Sequence, residues 1–122
     1  MSATILVLED DEATGRLIRA QLKAAGHRVR VFAHAGTAID EIDDGAAFDL
    51  YVLDVTMPVG ELHGLALARM IKTRFSDPRI IFVTGNPGLV SAPDTKLGPV
   101  FPKPIDFIEL LKEIERQLAK GP

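Results

Sequence analysis

The chain has 122 residues, of which 47% are hydrophobic, and its formal net charge is −3 at pH 7. This length fits a single domain that buries roughly two-thirds of its unfolded surface, and the acidic balance gives no reason to expect direct binding to nucleic acid or to a membrane. The absence of cysteine excludes disulfides, thiolate metal sites and thiol nucleophiles. The first apolar run, residues 5–8, is too short for a signal peptide or a membrane span, so we expect a cytoplasmic protein.

Short apolar strands and amphipathic helices alternate along the chain. The pattern predicts strands over 4–8, 27–32, 50–53, 79–84 and 100–101, and helices near 13–25, 37–43, 65–74 and 107–118. Only a short helical turn, near 90–96, is expected within 86–99, because that stretch is rich in proline and glycine. Five alternations of strand and helix predict an α/β fold, with a doubly wound parallel sheet, helices on both faces and a short or irregular fourth helix.

Helical spacing predicts which side chains face the sheet. We expect the first helix to end at Gly26 and the last helix to be capped by Asp106. The residues at helical spacing are then Leu17, Ile18, Gln21, Leu22 and Ala25 in the first helix, and the inward-facing side chains are Ala38, Ile39 and Ile42 in the second, Leu67, Met70 and Ile71 in the third, and Phe107, Ile108, Leu111, Ile114 and Leu118 in the last.

The chain is organised around one apolar run, residues 50–53, with Asp49 before it and Asp54 after it. Four apolar residues without alternation are typical of a strand that is covered on both faces. Such a strand runs through the middle of a sheet and delivers Asp54 to the carboxyl edge, where open α/β sheets bind ligands. Pro58 soon follows and ends any further ladder bonding.

Four other side chains are expected at the same edge as Asp54, because parallel strands end there together. They are Glu9 and Asp10 after the first strand, Thr84 at the end of the fourth, and Lys103 after the fifth. Crowded carboxylates require either a proton or a cation, and oxygen ligands without histidine or cysteine favour Mg²⁺. A hydroxyl and an ammonium beside that ion are suited to hold a phosphoryl group, which Asp54 would accept as an acyl phosphate.

Each of these residues also has a simpler explanation when it is taken alone. Asp54 and Thr84 could merely end strands, the acidic run 9–12 could be a helix N-terminus, and Lys103 could be a solvated lysine. Lys103 is however followed by Pro104, so a cis peptide bond can fix its direction. Four unrelated accidents at four strand ends are less probable than one site, and the combination therefore favours a site.

Together these residues resemble the receiver domain of two-component response regulators, over essentially the whole chain. The matching stretches are Ile5-Leu6-Val7-Leu8-Glu9-Asp10-Asp11, Asp54-Val55-Thr56-Met57-Pro58, Phe82-Val83-Thr84-Gly85 and Lys103-Pro104. The resemblance implies a flavodoxin-like sheet of order 2-1-3-4-5. It also implies a domain that signals by altered binding to a downstream protein.

The resemblance implies a role for each residue of the site. Asp54 would take a phosphoryl group from a histidine kinase or a histidine phosphotransfer protein. Mg²⁺ would be held by Glu9, Asp10, Asp54 and the backbone carbonyl of Thr56. Thr84 and Lys103 would bind the phosphoryl oxygens.

The sequence departs from the family pattern on its signalling side. The loop after Pro58 is about two residues longer than usual, over 59–63. Gly85 follows Thr84 where alanine is commoner, which is similar to a divergent subgroup with a Phe-x-Thr-Gly motif. Val100 occupies the position of the usual aromatic switch residue. The resemblance therefore does not carry over the usual coupling between a threonine and an inward-turning aromatic ring, although the charge of a phosphoryl group could still pull Thr84 inward.

Several alternatives remain open. Residues 1–122 are expected to form one receiver domain, either free-standing or excised from a longer protein. A pseudo-receiver would keep the fold without accepting phosphate. A haloacid-dehalogenase-like phosphatase would need a second aspartate at position 56, which is Thr56 here. His27, His34 and His63 have no metal-ligand spacing, and His63 is expected to be an exposed loop residue.

Overall fold

The computed structural model describes residues 2–56 and 63–120, with only the backbone of Leu89. Five strands and five helices alternate in these two stretches. The strands are β1 (Thr4–Leu8), β2 (Arg28–Phe32), β3 (Leu50–Asp54), β4 (Ile80–Thr84) and β5 (Val100–Pro102), and the helices are α1 (Glu12–Ala24), α2 (Ala35–Asp43), α3 (Gly64–Arg74), α4 (Ala92–Thr95) and α5 (Phe107–Ala119). Helices near 13–25, 37–43, 65–74 and 107–118 were therefore predicted correctly to within two residues at each end.

The five strands form one parallel sheet of order β2-β1-β3-β4-β5. This is the flavodoxin-like order that the resemblance implies, with β3 in the centre. All five residues of β3 are buried, including Asp54. The unalternating run thus is a central strand covered on both faces, as predicted.

Two hydrophobic clusters cover the two faces of the sheet. One contains α2 and α3 and is built around residues such as Leu53, Leu67 and Phe82. The other contains α1 and α5, with Ile18 and Ile114 packed on the opposite face. Because neighbouring residues of each strand point to opposite sides, the short apolar strands supply both clusters at once.

The ends of α1 and α5 follow from local sequence. Asp11 caps α1 by accepting a hydrogen bond from the Thr14 amide, and the Asp106 side chain accepts bonds from the amides of Ile108 and Glu109. Gly26, two residues after α1, has a positive φ of 97°, a conformation that glycine adopts without steric cost. The predicted cap and the predicted stop are both confirmed.

Three side chains at the predicted helical spacing lie at the surface instead, and one of them is Ala25, the C-cap of α1. Leu17 is 50% exposed, whereas Ile18 beside it is fully buried. Ile108 is 70% exposed, and the buried residue of that turn is Leu110. Each residue turns a helix by about 100°, so Leu17 is rotated away from the sheet when Ile18 faces it, and Ile108 lies about 200° around the helix from Leu110.

The stretch 86–99 contains a 3-10 turn, Pro87–Leu89, followed by the four-residue helix α4. The predicted helical turn near 90–96 is thus present but shorter. A bidentate ion pair joins α4 to α3, because the Arg69 guanidinium contacts both carboxylate oxygens of Asp94, the closer at 2.8 Å. Asp94 is 7% exposed and also accepts a hydrogen bond from the Ser91 hydroxyl.

Within the described stretches, we find no helix with the length and apolar character needed to cross a membrane.

Candidate functional site

The fold brings the predicted site residues to the carboxyl edge of the sheet. Asp54 is the last residue of β3 and Thr84 the last of β4, and both are buried. Glu9 follows β1 directly and is also buried, while Lys103 follows β5 and is partly exposed. The peptide bond between Lys103 and Pro104 is cis, as the sequence suggested.

Glu9, Asp10 and Asp54 form an acidic cluster. Their carboxylate oxygens lie within 4.8 Å of one another, with Asp10 on the exposed side. The donor set is purely oxygen, which fits a hard divalent cation that keeps part of its water shell. These three residues could therefore hold a metal ion.

Lys103 bridges two members of the cluster. Its Nζ donates a hydrogen bond of 2.6 Å to Glu9 Oε1 and one of 3.1 Å to Asp54 Oδ2. Burial alone lowers the pKa of Lys103, but the bonds to Glu9 and Asp54 outweigh it, so the pKa is raised. The lysine is thus a fixed positive charge that contacts the end of the central strand.

The surroundings of the Glu9 carboxyl raise its pKa. Burial raises its pKa to about 7, the bond from Lys103 opposes this rise, and the nearby Asp54 adds to it. The sequence predicted that crowded carboxylates need a proton or a cation, and the Lys103 ammonium is one such cation.

Thr84 does not contact Asp54 through any hydrogen bond between described residues. Its hydroxyl lies 2.8 Å from the hydroxyl of Thr56 and accepts a bond of 3.0 Å from the amide of Asn86. The amide of Thr56 in turn donates to Asp54 Oδ1 at 2.9 Å. Thr56 therefore connects Asp54 to Thr84. The sequence singled out only its backbone carbonyl, and the register that pairs Asp54 with Val83 brings its side chain to Thr84.

The start of α3 packs directly on Asp54. A Cβ at Gly64 would lie 2.4 Å from the carbonyl oxygen of Asp54, so only glycine fits there without a backbone shift. His63 precedes this glycine and caps α3, because its Nδ1 accepts a bond of 3.3 Å from the Ala66 amide. The expectation of an exposed loop histidine was wrong, since the side chain is a partly buried helix cap.

The other predicted features are not part of this constellation. His27 is buried just before β2, where its Nδ1 accepts a bond from the Ala3 amide. Of the longer loop over 59–63, residues 59–62 lie outside the described residues. Val100 opens β5 and packs, partly buried, against one core cluster.

Two cavities differ in their relation to the acidic cluster. One of about 420 Å³ opens beside Glu9 and Asp10 along the start of α1. A larger one of about 750 Å³ lies at the opposite edge of the sheet, between the start of β4 and the end of α5. Among the described residues, the lining of the larger cavity includes none of the predicted site residues.

Comparison with known proteins identifies the family. The model of the response regulator receiver domain matches residues 5–115. The chain therefore belongs to the response regulator receiver domain family, whose members are signalling domains with a phosphoacceptor role. The recognition made from the motifs is confirmed, and the divergent Phe-x-Thr-Gly subgroup stays a prediction.

Among the relatives, the DNA-binding transcriptional regulator NtrC of Azospirillum brasilense is 37% identical over 120 residues. This match covers 96% of the chain but only 24% of NtrC, so the chain spans about a quarter of the length of that relative. The response regulator receiver protein CpdR of Brucella abortus is 32% identical, and the match covers 93% of the chain and 95% of CpdR.

Solved structures agree with the fold. NtrX from Brucella abortus in complex with ADP superposes with a TM-score of 0.84 at 29% identity, covering 97% of the chain and 27% of NtrX. The response regulator TrrA from Thermotoga maritima, in complex with Mg²⁺ and BeF, gives a TM-score of 0.83 at 24% identity, covering 93% of the chain and 97% of TrrA. At that identity the likeness to TrrA concerns the fold alone.

Proposed function

We propose that Asp54 accepts a phosphoryl group from a histidine kinase or a histidine phosphotransfer protein. The observation that carries the proposal is the position of its carboxylate. It lies at the end of the central strand, 3.1 Å from the Lys103 ammonium and within 4.8 Å of the oxygens of Glu9 and Asp10. A carboxylate held between a fixed cation and a cation-binding cluster is equipped to form an acyl phosphate.

The transfer is an in-line displacement at phosphorus. A carboxylate oxygen of Asp54 forms the new P–O bond while the P–N bond to the donor imidazole breaks, and the imidazole keeps the electron pair and takes up a proton. Bound at Glu9, Asp10, Asp54 and the Thr56 carbonyl, Mg²⁺ would supply charge neutralisation for the phosphoryl oxygens. Lys103 supplies a second positive charge on the same side, and it can leave Glu9 for a phosphoryl oxygen without leaving Asp54.

We propose that the Thr84 hydroxyl donates a hydrogen bond to a phosphoryl oxygen after transfer. It ends β4, next to β3, and its hydroxyl is one hydrogen bond away from Thr56. A change at Thr84 reaches Asn86 through the hydrogen bond between them and continues into the 3-10 turn and α4. We propose that a downstream protein reads this change.

The proposal also covers the extent of the domain, its location in the cell and its activity. Residues 1–122 are assigned to one receiver domain that works in the cytoplasm. The domain carries out no turnover of a separate substrate, and its chemistry is limited to accepting its own phosphoryl group and losing it again.

Incubation with Mg²⁺ and acetyl phosphate, followed by intact mass spectrometry, tests the proposal. We expect one added phosphoryl group that requires Mg²⁺, is absent from Asp54→Asn and is released by hydroxylamine, which cleaves acyl phosphates. A folded wild-type protein that gains no phosphoryl group would contradict the proposal and favour a pseudo-receiver. Addition that persists in Asp54→Asn would place the acceptor elsewhere.

A further inference from the structure

We propose that the Thr56 side chain is a positioning residue for Thr84. In the unphosphorylated protein the Thr56 hydroxyl oxygen accepts the proton of the Thr84 hydroxyl, and this bond gives way when Thr84 donates to a phosphoryl oxygen. The inference rests on the proposed function. It adds a role for the side chain of a residue whose backbone carbonyl alone was expected to act.

Burial determines which of the two hydroxyls donates. Thr84 is fully buried, and its oxygen already accepts the amide proton of Asn86. A buried hydroxyl that cannot donate its own proton loses a hydrogen bond it would make in water. Among residues 2–56 and 63–120, Thr56 Oγ1 is the acceptor available to it, at 2.8 Å. Thr56 is exposed, so its own proton can go to solvent, and the arrangement that satisfies both groups has Thr84 as the donor.

The phosphorylated state makes a competing demand on the same proton. Phosphoryl oxygens accept hydrogen bonds and have none to donate at neutral pH. A hydroxyl has one proton, so Thr84 cannot donate to Thr56 and to a phosphoryl oxygen together. With Thr84 as its donor, the bond to Thr56 stabilises the resting arrangement, and in our proposal it sets part of the equilibrium between resting and activated domains.

Two substitutions separate the hydroxyl from the shape of the side chain. Thr56→Val keeps the branched outline and removes the acceptor, while Thr56→Ser keeps the hydroxyl. Both leave the amide that donates to Asp54 and the backbone carbonyl in place. Because Thr56 is exposed, neither change removes buried packing.

Calorimetric titration with beryllofluoride, a phosphoryl analogue, at saturating Mg²⁺ tests the inference. The Mg²⁺ affinity of each variant is measured separately, so that saturation is ensured. We expect Thr56→Val to bind beryllofluoride about three- to tenfold more tightly than wild type, which corresponds to the loss of one hydrogen bond from the resting state. Thr56→Ser should bind like wild type. In a Thr84→Val background, Thr56→Val should have no further effect.

Three results would overturn the inference: unchanged affinity in Thr56→Val, weaker affinity in that variant, or the same gain when Thr84 is valine. A merely structural effect of position 56 would not depend on the Thr84 hydroxyl, so the double variant distinguishes the two. Failure of the proposed function looks different, because wild type itself would then bind no beryllofluoride and gain no phosphoryl group.

Discussion

Lys103 contacts two carboxylates at once, and this double contact offsets part of the repulsion within the acidic cluster. Glu9 has a fully buried side chain, and Asp54 is almost as buried. Two carboxylates this close repel each other unless a positive charge lies between them. In the metal-free protein that charge is the ammonium of Lys103, and a divalent cation would share the task.

Replacing Lys103 with methionine should therefore cost stability mainly when no divalent cation is present. We expect the free energy of unfolding to fall by about 1–3 kcal/mol in metal-free buffer, because a buried carboxylate loses its charged partner. At saturating Mg²⁺ the loss should be clearly smaller, since the ion neutralises the same oxygens. Urea unfolding with and without Mg²⁺ measures both values.

Lys112→Met is the matched control for this change. Lys112 pairs with Glu109 on the surface, where both side chains are more than half exposed, and such pairs contribute little. Lys112→Met should therefore leave the free energy of unfolding almost unchanged in either buffer. Equal destabilisation of Lys103→Met with and without Mg²⁺ would show that Lys103 acts by packing rather than by charge.

Gly64 makes the position of Asp54 sensitive to a single methyl group. We expect Gly64→Ala to lower the free energy of unfolding by about 2 kcal/mol or more, because its Cβ would clash with the Asp54 backbone and force a shift. The rate of Mg²⁺-dependent phosphorylation by acetyl phosphate should fall as well. Stopped-flow or mass measurements of that rate, together with urea unfolding, test both effects.

Gly36→Ala provides the comparison, since Gly36 lies in α2 and a Cβ there meets no atom within 4 Å. It should be neutral or stabilising by up to about 1 kcal/mol, as expected for glycine replaced by alanine in an open helical position. If Gly64→Ala is as stable to urea as Gly36→Ala, the close approach of Gly64 to Asp54 does not contribute to stability in the way we expect.

At the scale of elements, α4 depends on its neighbour. A four-residue helix cannot be stable by itself, and the ion pair between Arg69 and the buried Asp94 joins it to α3. Arg69 lowers the pKa of Asp94 below its usual value of 3.8, with Ser91 adding to the effect. The contact between α3 and α4 that the structure shows is thus one of charge, because Asp94 is the buried residue of α4.

Asp94→Asn should loosen this segment. We expect a loss of about 1–2 kcal/mol at pH 7, because the charged hydrogen bonds to Arg69 weaken, and faster hydrogen exchange over residues 92–97. A carboxyl with a lowered pKa contributes stability above its unfolded pKa and loses it as the pH falls through the folded pKa. The difference between wild type and Asp94→Asn should therefore be constant above about pH 4 and shrink below it.

Asp43→Asn is the control for the charge change, because the Asp43 side chain, paired with Arg74, is 48% exposed whereas that of Asp94 is 9% exposed. It should leave both stability and exchange over 92–97 nearly unchanged. A gap between wild type and Asp94→Asn that grows on acidification would contradict the assignment.

The elements also indicate where prediction from sequence ends. The spacing of apolar residues predicted the four longer helices and every strand, because an element that buries one face repeats its apolar residues at its own structural period. It chose Ile108 where the structure buries Leu110, because both are apolar residues of one turn and the spacing alone does not say which of them faces the sheet. The Arg69–Asp94 pair had no local signal, because its partners are 25 residues apart and meet only once α3 and α4 are packed.

At the scale of the whole molecule, the fold and the location of the site could both be predicted. A parallel sheet places every strand end at one edge, so Asp54, Thr84 and the flanking Glu9 and Lys103 follow from element order alone. The hydrogen bond between Thr56 and Thr84 could not be predicted, because it depends on the register of β3 against β4. Register is a property of the packed sheet rather than of either strand.

Lys103 also determines the formal charge of the acidic cluster. With Glu9 ionised, the three carboxylates of the cluster and the Lys103 ammonium sum to −2, the amount that one divalent ion cancels. A phosphoryl group replaces the single charge of Asp54 by about two. In the proposed Mg²⁺-bound state the edge of the sheet would therefore pass from neutral to roughly −1 on phosphorylation, and a partner that tells the two states apart would meet one added unit of negative charge.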